Sequence, residues 1–580
     1  MKQVFAGEAL EAVLAAAQRP PSNEDSRTDR AALLGGLRRS FVTVLSQDTC
    51  RIQIARIAAA GVVFAATLVF VSGLRAVVPE PVKTDAGLLS GTSAAAPGVR
   101  VFKGIPFAAP PVGELRWRAP QPPAKWTGLR NADTFGDVCV QPKGVGRLNV
   151  SVDLPHSPAA SEDCLYLNVW TVAQSASERR PVMFWIFGGA YTEGAGSGPH
   201  TDGQALARQG AVVVTFNYRL GPFGFFSHPE LTKESGQNAS GNQALMDTIA
   251  ALKWVQTNIA AFGGDARNVT IFGESAGAAI AAGIVGSPDT AGLFRRAICE
   301  SGAWMGLGMT AMRTRQQAEQ PIGRRGAPPP VLMPLRDLRA QSSEQISRTL
   351  VGAGMIVDGW IIPEDESLTF AQGRQQPVDV LVGSNKDEGT FAGNTTATAW
   401  TNRVRQRWGD LADDYLKIYS AGSDEDATRS SQMAFRDEMA WHVRSYANLQ
   451  VKRGKRAYWY FFTHEPPYAP EVRNLKATHT VEIPYVFNNL RPPRVFPDAS
   501  SPELASASAS ERAFAERVSS YWVNFARAGD PNGKGLPRWP AFSGASAAPM
   551  IIGEIKETPD PQRLAIYDKL YEKMLAGLKE

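Results

Sequence analysis

A serine held between two glycines is the residue of this sequence whose surroundings most directly suggest chemistry. Ser275 lies in the stretch VTIFGESAGA, where an apolar run, 269–272, leads into the pattern Gly-x-Ser-x-Gly. A strand that turns sharply at a serine and enters a helix exposes the hydroxyl, and glycines fit where side chains would collide. The small apolar residues 276–286 favour such a helix. The pattern predicts a nucleophilic serine, although in a chain with 53 glycines so short a motif also arises by chance.

A serine attacks an ester only with a histidine base, a carboxylate that orients the base, and donors for the oxyanion. After this kind of strand–turn–helix, the acid and then the histidine follow the serine in the chain. The histidines that follow Ser275 are His442, His464 and His479. Of these, His479 in KATHTVEIPYVF is the first candidate for the base and His464 the second.

The acid is expected just beyond another apolar run, VDVLV at 378–382. Asp387 and Glu388 follow it side by side in VGSNKDEGTF. Either carboxylate can orient a histidine by its chemistry alone, so the residues leave both open.

Oxyanion donors are expected in a second glycine-rich segment. Residues 185–191, WIFGGAY, follow the apolar run PVMF, and backbone N–H groups in such a loop stabilise a tetrahedral oxyanion. Phe187 and Ala190 occupy positions where histidine and glycine are frequent in this type of motif. Because the backbone supplies the donors, neither side chain removes a required group.

These groups must be positioned by a scaffold of alternating strands and helices. Short apolar runs separated by helical patterns predict a mainly parallel sheet covered by helices on both faces, in one α/β domain at 81–580. The predicted strands are 181–187, 211–217, 269–272, 378–382 and 458–462, and the clearest predicted helix is 243–261. The Pro- and Gly-rich stretch 322–335 is expected to be an irregular surface connection.

The N-terminal region has the pattern of an export or anchoring signal. Ile57 to Leu74 form an uncharged run of 18 residues, the lower limit for a membrane span, and 8 Lys/Arg residues precede it. The positive flank indicates that the rest of the chain crosses the membrane. We expect a basic, weakly structured segment at 1–56, and at 57–74 either a signal-anchor or a signal peptide whose true start lies downstream of Met1. The protein is therefore expected to be exported, periplasmic or secreted, or to be anchored facing away from the cytoplasm.

Charge and cysteine content exclude other classes. The net charge of +5 is spread without a long basic run, so the sequence does not favour nucleic-acid binding. None of the four cysteines forms a CxxC pair, and His479 with Glu482 alone does not make a metal site. The chemistry predicted for Ser275 requires no metal or organic cofactor.

Ten segments occur in the order found in the type-B carboxylesterase/lipase family, which this sequence resembles over about residues 82–570. They are FKGIPFAAPPVGELRW, SEDCLYLNVW, WIFGGAY, NYRLGPFGFF, GNQALMDTIAALKWV, FGGDARNVTIFGESAGA, FRRAICESG, NKDEGTF, HTVEIPYVF and GDPN. The resemblance implies an α/β-hydrolase fold. It also implies hydrolysis of small to medium carboxylic esters through an acyl-enzyme intermediate.

The resemblance also implies roles for particular residues. It makes Ser275 the nucleophile, Glu388 rather than Asp387 the acid, and His479 the base. It further implies that the N–H groups of Gly189, Ala190 and Ala276 are the oxyanion donors and that Glu274 is a carboxylate beside the nucleophile. It pairs Cys139 with Cys164 in a disulfide. Cys299 has no evident partner and is expected to be a buried free thiol.

Some positions depart from the family pattern. Thr480 stands where glycine is usual after the base, Phe187 stands where histidine or tyrosine is common before the oxyanion loop, and QPIGRRGAPPPVLMP replaces a frequent amphipathic helix. The alternatives are a lipase or feruloyl-type esterase, which acyl preference would separate, and a non-catalytic adhesion module. The presence of all three catalytic residue types argues against the adhesion module.

Overall fold

A computed structural model describes residues 78–141, 159–303, 305–307, 311–320, 331–352, 354–468, 470, 473–490, 507–544 and 546–579. These residues belong to one compact unit, Arg75–Glu580. The predicted segments 1–56 and 57–74 lie outside the described ranges. Within those ranges, no helix is long and apolar enough to span a membrane.

The main sheet contains ten strands within the described part of the chain. In chain order they are β1 (Thr92–Ser93), β2 (Arg100–Pro106), β3 (Tyr166–Thr171), β4 (Arg180–Ile186), β5 (Val212–Phe216), β6 (Gly264–Glu274), β7 (Arg296–Glu300), β8 (Asp379–Asn385), β9 (Ala457–Phe462) and β10 (Met550–Ile552). Their spatial order is β10-β9-β8-β7-β6-β4-β5-β3-β2-β1.

The strands from β10 to β5 in this order are all parallel, and β3, β2 and β1 continue the sheet as antiparallel neighbours. The predicted mainly parallel sheet is therefore confirmed. Every residue of β5 is buried, which requires cover on both faces of the sheet and explains its unbroken apolar sequence.

Helices alternate with the strands along the chain, and several of them pack on the main sheet. They are α1 (Gln204–Arg208), α2 (Gly221–Gly224), α3 (Pro229–Glu234), α4 (Gln243–Asn258), α5 (Ala276–Gly286), α6 (Arg315–Ala318), α7 (Leu335–Arg339), α8 (Ser343–Thr349), α9 (Glu366–Ala371), α10 (Ala397–Trp408), α11 (Ala412–Ile418), α12 (Asp424–Lys452), α13 (Ile483–Val486), α14 (Ala509–Ala528) and α15 (Pro561–Lys579). Helix α5 packs on β4, β6 and β7, α12 on β8 and β9, and α14 on β4 and β6.

The predicted helix at 243–261 ends earlier than its apolar pattern suggested. Helix α4 stops at Asn258, and a 3-10 turn, Ile259–Phe262, follows it. Gly263 ends this turn in a left-handed conformation with φ of 80°, where glycine is favoured. A Cβ atom there would lie 2.2 Å from the Cβ of Ala173, so close packing also requires glycine.

Shorter strands and a disulfide complete the described structure. One small sheet has three strands, Val82–Lys83, Leu88–Ser90 and Leu129–Asn131. Two further small sheets have two strands each: Val138–Cys139 pairs with Ala160–Ser161, and Arg313–Thr314 pairs with Ile356–Val357. Cys139 and Cys164 form a disulfide, and Cys299 is a buried free thiol. Of the Pro- and Gly-rich stretch, the described residues 331–334 are not helical, and α7 begins directly after them.

Candidate active site

Ser275 occupies the turn between β6 and α5. The strand ends at Glu274 and the helix begins at Ala276, so one residue makes the whole connection. Ser275 has φ of 54° and ψ of −123°, a backbone conformation that residues other than glycine rarely adopt. Its N–H donates to the carbonyl of Glu300 at 2.9 Å, and its carbonyl accepts from Ala279 N–H at 2.9 Å. These bonds hold the residue in its strained conformation, a type of strain that is frequent at functional sites.

The two glycines of the motif are required by close packing around this turn. A Cβ atom on Gly273 would lie 2.6 Å from the carbonyl oxygen of Ile186 at the end of β4. A Cβ atom on Gly277 would lie 2.0 Å from the same oxygen. The motif that first indicated a nucleophile therefore has a steric explanation in this fold.

His479 and Glu388 meet at the carboxyl end of the sheet. The Nδ1 atom of His479 lies 2.6 Å from Glu388 Oε2. The other oxygen of Glu388 accepts from Ser301 Oγ at 2.5 Å and from the Asn385 N–H at 2.8 Å. Glu388 is fully buried, so three donors replace the water that a carboxylate normally binds.

The other ring nitrogen of His479 faces the residue before the serine. Its Nε2 lies 3.2 Å from Oε1 of Glu274, and both side chains are buried. Burial lowers the pKa of His479, but the carboxylates of Glu274 and Glu388 raise it, to about 10. Burial raises the pKa of Glu274 well above its usual range. The imidazole and this carboxyl group therefore compete for a proton next to Ser275.

Asp387, the alternative acid, has a different set of contacts. Its carboxylate lies 2.8 Å from Lys386 Nζ and accepts from the Ala477 N–H at 3.2 Å. Its own N–H donates to the Ala477 carbonyl at 2.9 Å. Asp387 thus attaches the acid-bearing loop to the segment that carries His479.

The two other candidate histidines have partners elsewhere. His464 Nδ1 lies 2.8 Å from Glu554 Oε2, and its Nε2 lies 3.1 Å from the Tyr485 hydroxyl. His442 Nδ1 accepts from the Met305 N–H at 2.9 Å. The structure therefore brings Glu388 together with His479 and with neither of these residues.

The glycine-rich loop after β4 lies against the serine. A Cβ atom on Gly188 would lie 3.2 Å from Ser275 Cβ, so the two backbones are close. The Gly189 carbonyl accepts from the N–H groups of Thr192 and Glu193, at 2.9 and 3.1 Å. In a trans peptide the N–H points opposite to the carbonyl, so the Ala190 N–H points away from this turn. Gly189 and Ala190 have φ of 113° and 51°, which gives the loop its sharp bend.

Ala276 is the first residue of α5, and its N–H is one of the donors that a helix leaves without an intrahelical acceptor. The preceding carbonyl, of Ser275, points along the helix to Ala279. The Ala276 N–H therefore points out of the N-terminal end of α5, beside the Ser275 side chain. A developing negative charge is favoured at this end of a helix.

Several polar residues around the candidate triad were not identified from the sequence. Ser301 and Asn385 both donate to Glu388, and Asn385 Nδ2 also lies 2.5 Å from Glu482 Oε2. Burial raises the pKa of Glu482 to about 7. Glu300, at the end of β7, accepts from Trp522 Nε1 at 2.8 Å. The segments CESG and NKDEG carry these residues, but their letters do not show which side chains meet.

Known proteins are similar to this chain over most of its length. A family model described as Carboxylesterase family matches residues 79–568. A fumonisin B1 esterase of Sphingopyxis macrogoltabida is 36% identical over 480 residues, which cover 79% of this chain and 84% of that protein. A para-nitrobenzyl esterase of Bacillus subtilis (strain 168) is 33% identical over 510 residues, covering 83% and 96%.

Solved structures of esterases superpose on this chain over most of their length. A PNB esterase superposes with a TM-score of 0.70 at 30% identity, covering 84% of this chain and 98% of that one. A Geobacillus stearothermophilus carboxylesterase superposes with a TM-score of 0.67 at 34% identity, covering 84% and 99%. The predicted α/β-hydrolase fold is confirmed. With the match over most of its length, this chain belongs to the carboxylesterase family and is a serine hydrolase of carboxylic esters.

Proposed function

We propose that Ser275 is the nucleophile of this hydrolase, with His479 as its base and Glu388 as the acid that orients the base. The observation that carries this proposal is the 2.6 Å contact between His479 Nδ1 and Glu388 Oε2, beside a serine in a strained strand–helix turn. A carboxylate at Nδ1 leaves Nε2 as the atom that exchanges protons with the serine and the substrate.

In the first step, His479 takes the Ser275 proton while Oγ attacks the ester carbonyl, and the alkoxide then leaves with a proton from His479 Nε2. The acyl group stays on Ser275 as an ester. In the second step, His479 takes a proton from water, which attacks the acyl-enzyme and releases the carboxylic acid. Glu388 stabilises the imidazolium that forms in both steps without itself taking the proton.

Backbone donors stabilise the tetrahedral intermediates. We assign this role to the N–H groups of Gly189, Ala190 and Ala276. The close approach of Gly188 to Ser275 and the outward direction of the Ala190 and Ala276 N–H groups support the assignment. Loss of one such donor in serine hydrolases typically lowers kcat by about 10²–10³-fold.

Small to medium esters are the proposed substrates. The relatives named above are esterases of para-nitrobenzyl esters and of fumonisin B1, and a human relative that is 33% identical over 503 residues is a cocaine esterase. The names of these relatives share ester cleavage and differ in substrate. A kinetic screen against p-nitrophenyl and alkyl esters of graded acyl and alcohol size tests the proposal, and a preference for long acyl chains would favour a lipase instead.

Replacing Ser275 with alanine tests the nucleophile. The S275A variant should lose hydrolysis of p-nitrophenyl acetate while its circular dichroism and thermal midpoint stay unchanged. S177A, which alters an exposed serine, is the matched control and should keep full activity. Full turnover by S275A would refute the assignment.

We also propose that the protein acts outside the cytoplasm, after export or while anchored through residues 57–74. The disulfide between Cys139 and Cys164 supports this proposal, because disulfides persist mainly in oxidising compartments. N-terminal sequencing of protein recovered after export separates the two possibilities. A start beyond residue 74 indicates cleavage, an intact start in the membrane fraction indicates anchoring, and reduced protein in the cytoplasm contradicts both.

A further inference from the structure

Thr480, the residue after the proposed base, has an unfavourable backbone conformation. Its φ is 74°, in the left-handed region that glycine adopts readily and that β-branched residues rarely adopt. The surrounding structure holds it there: the Ile483 N–H donates to the Thr480 carbonyl at 3.2 Å, and the residue is 4% exposed. A glycine would meet the backbone requirement better, so the side chain needs another explanation.

The hydroxyl of Thr480 has no hydrogen-bond partner among the described residues. A buried polar group without a partner is unfavourable in a folded protein and is normally satisfied by protein, water or a ligand. Thr480 lines a cavity of about 60 Å³ together with Gly188, Gly189 and Glu274. Roughly 10–15 Å³ of such space is enough to hold one water molecule, so the cavity has room for several water-sized groups.

The cavity lies beside Glu274, whose side chain faces the proposed base. His479 Nε2 must reach the leaving oxygen to protonate it, so the alcohol part of the ester sits next to Nε2. That nitrogen lies 3.2 Å from Oε1 of Glu274, which lines the cavity. This step rests on the proposed roles of Ser275 and His479.

We propose that Thr480 Oγ1 hydrogen-bonds a hydroxyl group on the alcohol part of the substrate and thereby selects esters of hydroxylated alcohols. A two-carbon glycol is small enough to enter this cavity. An alkyl alcohol of the same length fits the space but leaves the Thr480 hydroxyl without a partner, and a site with an unpaired buried polar group discriminates against such a ligand.

Two esters with the same acyl group and nearly the same size test the proposal. For each variant, the experiment measures one ratio: kcat/KM for 2-hydroxyethyl butyrate divided by kcat/KM for propyl butyrate. Because the ratio is internal to one preparation, it does not depend on how much of that variant is folded. Dividing it by the wild-type ratio also removes the difference in intrinsic reactivity between the two esters.

T480V keeps the shape and branching of the side chain without the hydroxyl, and T480G removes the side chain where glycine is the favoured residue. Both should lower the ratio by roughly fivefold to tenfold, the range expected for one neutral hydrogen bond. T480S keeps the hydroxyl and should stay within about twofold of the wild-type ratio.

Equal ratios for T480V, T480G and the wild-type enzyme would overturn the proposal, since a purely structural role affects both esters alike. Activity of S275A toward both esters would instead refute the catalytic roles proposed above. Loss of activity in S275A with an unchanged ratio in T480V would refute only the role of Thr480.

Discussion

His479 and Glu388 form a buried pair in which Nδ1 of the imidazole lies 2.6 Å from a carboxylate oxygen. Asp387, one residue earlier in the chain, has its carboxylate 2.8 Å from Lys386 Nζ instead. The two adjacent acids therefore differ in environment although their chemistry is the same. Glu388 is buried and accepts hydrogen bonds from three donors, so its charge is held where it can stabilise an imidazolium. Asp387 instead links its own loop to the segment around Ala477.

Replacing each acid by its amide separates these roles. E388Q should lower kcat by roughly 10³–10⁴-fold, because the imidazolium loses its counter-charge and the imidazole its orientation. D387N keeps an acceptor for the Ala477 N–H and should change kcat by less than about tenfold. Steady-state kinetics with one p-nitrophenyl ester measures both. A larger loss of kcat in D387N than in E388Q would show that Asp387, and not Glu388, is the acid.

His479 and His464, the two candidates for the base, can be compared in the same way. H479Q should lower kcat by roughly 10⁴-fold or more, since the serine loses its base. H464Q removes a ring that packs against Phe514 and contacts Glu554, so it should mainly lower the thermal midpoint. The measurement is kcat together with thermal unfolding for both variants. Activity that survives in H479Q but not in H464Q would contradict the assignment.

Glu274 should influence the pH dependence of hydrolysis through His479. Burial raises the pKa of Glu274, but wherever this group is ionised its negative charge, 3.2 Å from Nε2, favours the imidazolium and raises the pKa of His479. The neutral amide in E274Q removes that charge and lowers this pKa. Since only the neutral imidazole accepts the serine proton, the acid limb of the kcat/KM profile should move to lower pH.

The control for this measurement is E554Q, which alters a carboxylate beside His464. Its acid limb should coincide with that of the wild-type enzyme. An acid limb that stays in place in E274Q, or moves to higher pH, would show that Glu274 does not carry charge next to His479 in the free enzyme.

The disulfide between Cys139 and Cys164 should make a large contribution to stability. It closes a loop with a sequence separation of 25, for which the loss of chain entropy in the unfolded state amounts to about 3–4 kcal/mol. The double variant C139S/C164S should lose about that much free energy of unfolding in urea. C299A, which changes the buried free thiol, should lose only about 1 kcal/mol. Equal losses would argue against the entropic contribution of the disulfide.

The sequence predicts the scaffold well where burial decides the pattern. Strand β5 is buried on both faces, so its residues form an unbroken apolar run that is recognisable without a structure. The predicted strand at 211–217 is observed as Val212–Phe216, and the small-residue helix at 276–286 is observed as Ala276–Gly286. The end of α4 was predicted less well because the apolar pattern continues through the 3-10 turn Ile259–Phe262, which follows the helix.

The polar network around the site could not be predicted in the same way. Ser301 and Glu388 are separated by 87 residues, and Asn385 and Glu482 by 97, so their contacts arise only when the sheet brings the strand ends together. Chemistry alone did not separate Glu388 from Asp387. The backbone conformation of Thr480 could not be predicted either, because threonine is not a residue type that indicates a φ of 74°.

Covalent trapping of the nucleophile tests the central claim most directly. A p-nitrophenyl phosphonate ester reacts with an activated serine and leaves a stable adduct that resembles the tetrahedral intermediate. We predict that one adduct per chain forms as activity is lost, and that peptide mass spectrometry locates it on Ser275. Complete inactivation with the adduct on another residue, or with Ser275 unmodified, would contradict the account.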